Sequence, residues 1–191
     1  MTANELSKSE KKDSIIYGVA VGFLTIIFSV ISVYYTKIAD SYGNLFVVST
    51  ILKLLGAIVV PVGFVYLLKV KIGSLWTFSK ALKSIYIVLA ASIIVSSVGV
   101  TLFQKVIAPK ETIEAGYQNL MNLKIEDMEA SGATEEEIDQ QLVVIEQDRD
   151  FAFTKISFQN VVPPMFISLL LNFVFALVLA FLFRSHVKKT S

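Results

Sequence analysis

The chain has 191 residues, no cysteine, one histidine and a formal net charge of +1, and 54% of it is hydrophobic. The missing cysteines exclude disulfides, thiolate metal sites and a thiol nucleophile. The mean hydropathy of +0.67 comes from long apolar runs that argue against an ordinary soluble domain.

Between Asp13 and Lys37 lie 23 residues without a charge, "SIIYGVAVGFLTIIFSVISVYYT". A helix needs about 20 apolar residues to cross the hydrocarbon core, so this run is a transmembrane helix. It is too long for a signal-peptide core, and no cleavage site clearly follows it. Within it, Gly18-x-x-x-Gly22 permits close helix approach, either to another helix of this chain or to a second copy.

The next apolar stretch, Leu45 to Leu68, contains Lys53. One span with Lys53 near its end is expected; a short interfacial helix before a thinner span is the competing reading. A lysine at the bilayer centre costs at least ~2.5–3.5 kcal/mol. Lys53 lies about 12 Å along the helix from Leu45 at ~1.5 Å per residue. From there it either snorkels to the headgroups or coordinates a lipid phosphate or a partner carboxylate. Pro61 and Gly63 are expected to bend this helix.

The following loop, "KVKIGSLWTFSKALKS", combines Lys69, Lys71, Lys80 and Lys83 with Trp76 and Phe78. It reads as interfacial anchoring, or as a surface for anionic lipid or a partner. A juxtamembrane cluster of this size is no nucleic-acid site. Ser84 to Gln104 then supplies 21 uncharged residues, including Ser92-x-x-x-Ser96, for a third span.

From Glu111 to Asp150, twelve acidic residues face only Lys124 and Arg149, a net charge of −10. The segment reads as a helical hairpin. Ile113, Tyr117, Leu120, Met121, Ile125 and Met128 recur at helical steps. Gly132 tolerates the positive φ of a helix stop. Thr134 with Glu137 matches a capping box, and Glu135 and Glu136 suit a helix N-terminus. Ile138, Leu142 and Ile145 form a second apolar stripe. Two short helices make a small joint core, so the leftover apolar surface is expected to rest on another hairpin, the membrane or a partner. The carboxylates Glu126, Asp127, Glu129, Glu135, Glu136 and Asp139 form a solvated face, or a surface for a basic partner or divalent cations. No EF-hand ligand spacing is present.

Asn160 to Phe183 is the fourth span, 24 uncharged residues with Pro163 and Pro164 expected in its first turn. Asn172 is expected to hydrogen-bond between helices, and Ala176-x-x-x-Ala180 permits close packing. No Asp or Glu lies inside a span, which counts against an ion-coupled carrier. The sole histidine, His186, falls in the tail, and there is no phosphate loop or nucleophile elbow. No catalytic residue, metal ligand or cofactor site is expected.

Taken together, the chain is an all-α membrane protein with four transmembrane helices at about 14–36, 45–68, 80–106 and 160–183. The segments are 1–107, carrying the first three spans, an acidic hairpin over 108–159, and 160–191 with the last span. Lysines and arginines favour the cytoplasm. Lys8, Lys11 and Lys12, the loop after the second span, and Arg184, Lys188 and Lys189 therefore place both termini inside and the hairpin outside.

The motifs "GSLWTFSKALKS", "APKETIEAGYQNLMNLKIEDMEASGATEEEIDQQL" and "PPMFISLLLNFVFALVLAFLF" resemble a family of bacterial membrane proteins catalogued as domain of unknown function 4199, over roughly Ile15 to Phe183. The resemblance implies a four-span inner-membrane protein without assigned catalytic residues. It also suggests an association with cell-envelope glycosyl transfer on polyprenyl phosphate carriers. A non-enzymatic accessory or scaffold protein, binding an envelope partner or a second copy, is the leading expectation. A lipid or small-molecule carrier using Lys53 and Asn172, or a membrane anchor for a polyprenyl-phosphate glycosyltransferase, is the alternative.

Overall fold

A computed structural model describes residues 5–73 and 76–185. His186, Lys188 and Lys189 lie outside the described residues. The described residues are mainly helical, with no strand among them. Four helical segments are long and apolar enough to cross a membrane: Lys8–Ile38, Tyr42–Ile72, Phe78–Ile107 and Phe158–Phe183. The helices are α1 (Lys8–Ile38), α2 (Tyr42–Leu54), α3 (Val60–Ile72), α4 (Phe78–Leu102), α5 (Lys110–Ala130), α6 (Glu135–Phe153) and α7 (Phe158–Phe183).

The first three spans begin earlier than their apolar runs because polar residues start the helix. Ser7 and Glu10 form a capping box: the Glu10 N–H donates to Ser7 Oγ at 3.2 Å, and the Ser7 N–H donates to Glu10 Oε2 at 2.8 Å. The Asn44 N–H reaches Ser41 Oγ at 3.3 Å before α2, and the Lys80 N–H reaches Thr77 Oγ1 at 3.4 Å before α4. Gly73, at φ 61°, closes α3 by donating its N–H to the Lys69 carbonyl.

The second span is continuous but not uniform. A wider π-type turn over Leu55–Val59 joins α2 to α3 just before Pro61. Proline has no N–H to donate and its ring crowds the carbonyl four residues back, so the turn opens there. A second such turn, Phe103–Ile107, ends the third span. The prolines of α7 differ from expectation: the helix starts at Phe158, so Pro163 and Pro164 lie inside it and not in its first turn.

The chain divides into two compact units. One comprises Met1–Ile26, Leu55–Val98 and Phe158–Ser191; the other comprises Ile27–Leu54 and Gly99–Ser157.

The first unit is built on a close pairing of α1 with α4. A Cβ at Gly18 would collide with the Val88 carbonyl oxygen and lie 2.7 Å from Ala91 Cβ. One at Gly22 would lie 2.7 Å from Val95 Cβ and 3.0 Å from the Ser92 carbonyl oxygen. Lys80 Nζ pairs with Glu10 Oε1 at 2.6 Å, both side chains largely buried. Glu10–Lys80, Gly18–Val88 and Gly22–Ser92 each differ by 70 in residue number, so the two helices run in the same direction in one register. The same step aligns Ser14 with Ser84, both fully buried. Small side chains at four-residue steps let the backbones approach and dispersion accumulate. Around this pair the core collects Val65 and Leu68 of α3, Trp76, Ile85, Val88 and Leu89, and Ala176, Leu179 and Ala180 of α7.

In the second unit, α5 lies along the end of α1. Ile113 packs with Val30, Val33 and Phe103, and Leu123 packs with Ala39 and Leu45. Gly116 faces Thr36 and the Val33 carbonyl. The contacts advance together along both helices, so α5 continues in the direction of α1. The apolar face of α5 is therefore covered by α1 and α2 of the same chain, while α6 has no buried residue.

Candidate functional site

The hairpin is assembled from local signals. Gly132 takes φ 77°, its N–H donates to the Glu129 carbonyl at 3.0 Å, and the Ala133 N–H reaches the Met128 carbonyl at 3.0 Å. This pair of bonds is a Schellman stop. Thr134 then starts α6 with its capping box complete, the Glu137 N–H to Thr134 Oγ1 at 3.4 Å and the Thr134 N–H to Glu137 Oε2 at 2.8 Å. The Thr134 N–H, and after it the Thr134 hydroxyl at 3.1 Å, donate to the Glu137 carboxylate and hold it below the ordinary glutamate range. A lowered pKa means a contribution present at neutral pH and lost as acid protonates Glu137. Amide protection at Glu137 should thus fall below the ordinary glutamate range, and Glu137→Gln should remove the pH dependence; hydrogen exchange against pH measures both.

Helices α5 and α6 run antiparallel. The Tyr117 hydroxyl donates to the Asp148 carbonyl at 3.2 Å, and burial pushes its phenol pKa up. Arg149 Nη1 lies 3.9 Å from Glu114 Oε1. The far end of the pair carries the carboxylates. Glu126, Asp127, Glu129, Glu135, Glu136 and Asp139 are all exposed. Their electrostatic settings differ. Glu135, Glu136 and Glu137 occupy the first turn of α6, where negative charge is favourable. Glu126, Asp127 and Glu129 crowd the last turns of α5, which contain no base in the final turn. Each opposes the helix dipole there by about 0.3–1 kcal/mol. Helix stability therefore does not account for the carboxylates at the end of α5.

The base is anchored by residues that sequence reasoning passed over. Asn119 Nδ2 donates to the carbonyls of Thr36 at 2.8 Å and Ala39 at 3.0 Å, occupying orphan acceptors at the end of α1. Lys124 Nζ sits 4.3 Å above the Tyr42 ring. Lys105 Nζ donates to the carbonyls of Phe151 at 2.8 Å and Thr154 at 2.9 Å, closing the C-terminus of α6. Replacing Lys105 with methionine keeps the aliphatic stem and removes those bonds. It should cost about 1.5–3 kcal/mol locally, read as faster hydrogen exchange over 150–157. The sequence offers no pairwise signal for any of these three anchors, because each partner lies tens of residues away.

The basic group is arranged differently from a bare phosphate cradle. Lys71 Nζ pairs with Asp13 Oδ1 at 2.8 Å and also lies 5.7 Å from the Tyr17 ring centre. Lys80 holds Glu10, and Lys69 Nζ lies 5.7 Å from the Phe183 ring centre. Lys83 is exposed on α4. Trp76 is not an interfacial anchor: it is fully buried in the first unit's core. Its backbone N–H donates to Ser185 Oγ at 3.1 Å, and its carbonyl accepts the Ser185 N–H at 2.9 Å. That reciprocal pair ties the turn before α4 to the end of α7 and carries the indole inward.

Lys53 is exposed on α2, and no described residue makes a hydrogen bond or ion pair with it. Asn172 corrects another expectation: its amide donates to the Ser168 carbonyl at 3.0 Å, within its own helix. Gly18 and Gly22 face α4, and Ala176 and Ala180 are buried in the same unit's core. Among the described residues, no three His, Asp or Glu side chains converge as a metal site.

The chain belongs to the family described as Protein of unknown function (DUF4199), whose model matches residues 16–185. No curated protein and no solved structure matches it.

Proposed function

We propose that this DUF4199 protein is a non-enzymatic accessory or scaffold subunit of a bacterial cytoplasmic membrane. Both termini are cytoplasmic, residues 108–159 are extracytoplasmic, and the acidic end of the hairpin binds a basic envelope partner or a second copy. The lysines and arginine near the span ends support the orientation through the positive-inside rule. The observation that carries the binding role is the uncompensated carboxylate cluster at the end of α5, mounted on a base held by Asn119 and Leu123. A net charge of −10 over 111–150 steers a basic partner at long range and is screened by salt. The absence of cysteine and the placement of the only histidine at His186 support a role without catalysis.

The test is affinity purification of the tagged protein in mild detergent, beside a variant with Glu126, Asp127, Glu129, Glu135, Glu136 and Asp139 changed to their amides. These side chains make no structural bonds, so the hairpin should persist while partner recovery drops severalfold and becomes insensitive to salt. Equal recovery from the amide variant overturns the proposal. Lipid or small-molecule carriage receives less support, because Asn172 turns its amide into its own helix.

A further inference from the structure

The foot of the hairpin carries a surface unlike its acidic end. Phe151, Phe153 and Ile156 remain 49%, 40% and 47% exposed at the end of α6 and in the linker beyond it. Lys105 bonds the Phe151 and Thr154 carbonyls, so this segment is fastened to the end of the candidate span Phe78–Ile107. Beside Lys105, Val106 and Ile107 are 66% and 69% exposed. Water would contact five large apolar side chains here, a group that elsewhere in a protein marks an interaction surface.

What covers them follows from continuity. Val106 and Ile107 are the last residues of a helix long and apolar enough to span a bilayer, and α7, another such helix, starts at Phe158 directly after the linker. An apolar group at the end of a span meets the headgroup and acyl boundary, where aromatic rings partition favourably. The acidic end is kept away from that layer. Because α5 continues in the direction of α1, the hairpin rises along the helix axis, and α6 returns to the level of Lys105.

We infer that Phe151, Phe153 and Ile156, with Val106 and Ile107, seat the foot of the hairpin in the lipid interface, while the carboxylate end stands clear of it. Lipid is the occupant, and Lys105 is the clasp that holds α6 against the span so that its aromatic end stays immersed. The inference is independent of the partner proposed above, since it concerns the opposite end of the hairpin.

The chain contains no cysteine, so single nitroxide labels can be placed without removing a native thiol. Phe153→Cys, Ile156→Cys and Ser131→Cys full-length proteins, labelled and reconstituted in phosphatidylethanolamine–phosphatidylglycerol vesicles, are compared by power saturation with oxygen and a water-soluble nickel chelate. The ratio of oxygen to nickel accessibility should be severalfold higher at 153 and 156 than at 131. A Lys105→Met background should lower the ratio at 153 toward that of 131. Ratios at 153 and 156 equal to that at 131 mean water, and shielding from both reagents means protein contact with a partner or second copy; either overturns the inference. Loss of partner binding in the amide variant leaves these ratios unchanged, so the two proposals fail separately.

Discussion

Gly18→Leu should largely abolish the folded protein, seen as lost monodisperse yield and a lower Tm in detergent. Its Cβ has no space, because the nearest atoms belong to the Val88 carbonyl and the Ala91 side chain of α4. Backbone cannot rotate aside as a flexible side chain can. Overpacking a core costs about 1–3 kcal/mol even when the neighbours can move, and here helix separation must increase along the whole pair. Separation would also stretch the Glu10–Lys80 ion pair at 2.6 Å, leaving two largely buried charges poorly matched. Gly18→Ala should show the same effect in smaller measure. Gly63→Ala is the control, since nothing lies within 4 Å of its added Cβ. A Gly18→Leu protein as stable as Gly63→Ala would contradict the close pairing.

Asn119→Asp should release the hairpin from its mount while leaving the spans helical. The amide donates to two carbonyls at the end of α1. A carboxylate has no proton to offer and places negative charge against both oxygens, at the negative end of a helix dipole. Leaving acceptors unpaired costs about 1–3 kcal/mol, and the charge repulsion adds to it. Limited proteolysis between 108 and 157 should accelerate severalfold, with circular dichroism almost unchanged. Asn119→Gln, which retains the donors on a longer stem, should fall between the two. An Asn119→Asp hairpin as resistant as the native one would show that Leu123 and Gly116 alone hold it.

The contrast between these two sites explains how much was legible in advance. Gly18-x-x-x-Gly22 is visible as a pattern, and so are the four apolar runs, the Gly132 stop and the Thr134–Glu137 box. Each depends on residues within a turn or two of one another. Asn119 shows no pattern at all: its partners are carbonyls 80 and 83 residues away, and carbonyl groups occur at every position. Trp76 was misplaced for a related reason. Tryptophan among lysines ordinarily marks the interface, but reciprocal bonding with Ser185, more than a hundred residues on, carries it into the core. Asn172 went the other way, satisfying itself four residues back where a longer-range partner was expected.

Helix existence, span count and the Gly132 and Thr134 helix ends followed from the amino-acid sequence because apolar length, capping and glycine φ are local properties with local energies. The match to DUF4199 over residues 16–185 rests on the same one-dimensional order. Tertiary packing decided which faces met: α1 with α4 through a constant step of 70, α5 with the end of α1, and Lys105 with the end of α6. Those choices depend on where an entire helix lies relative to another, and many pairings of similar small and apolar faces satisfy the same local code. Only the simultaneous fit of side-chain volume, charge and orphan carbonyls selects among them.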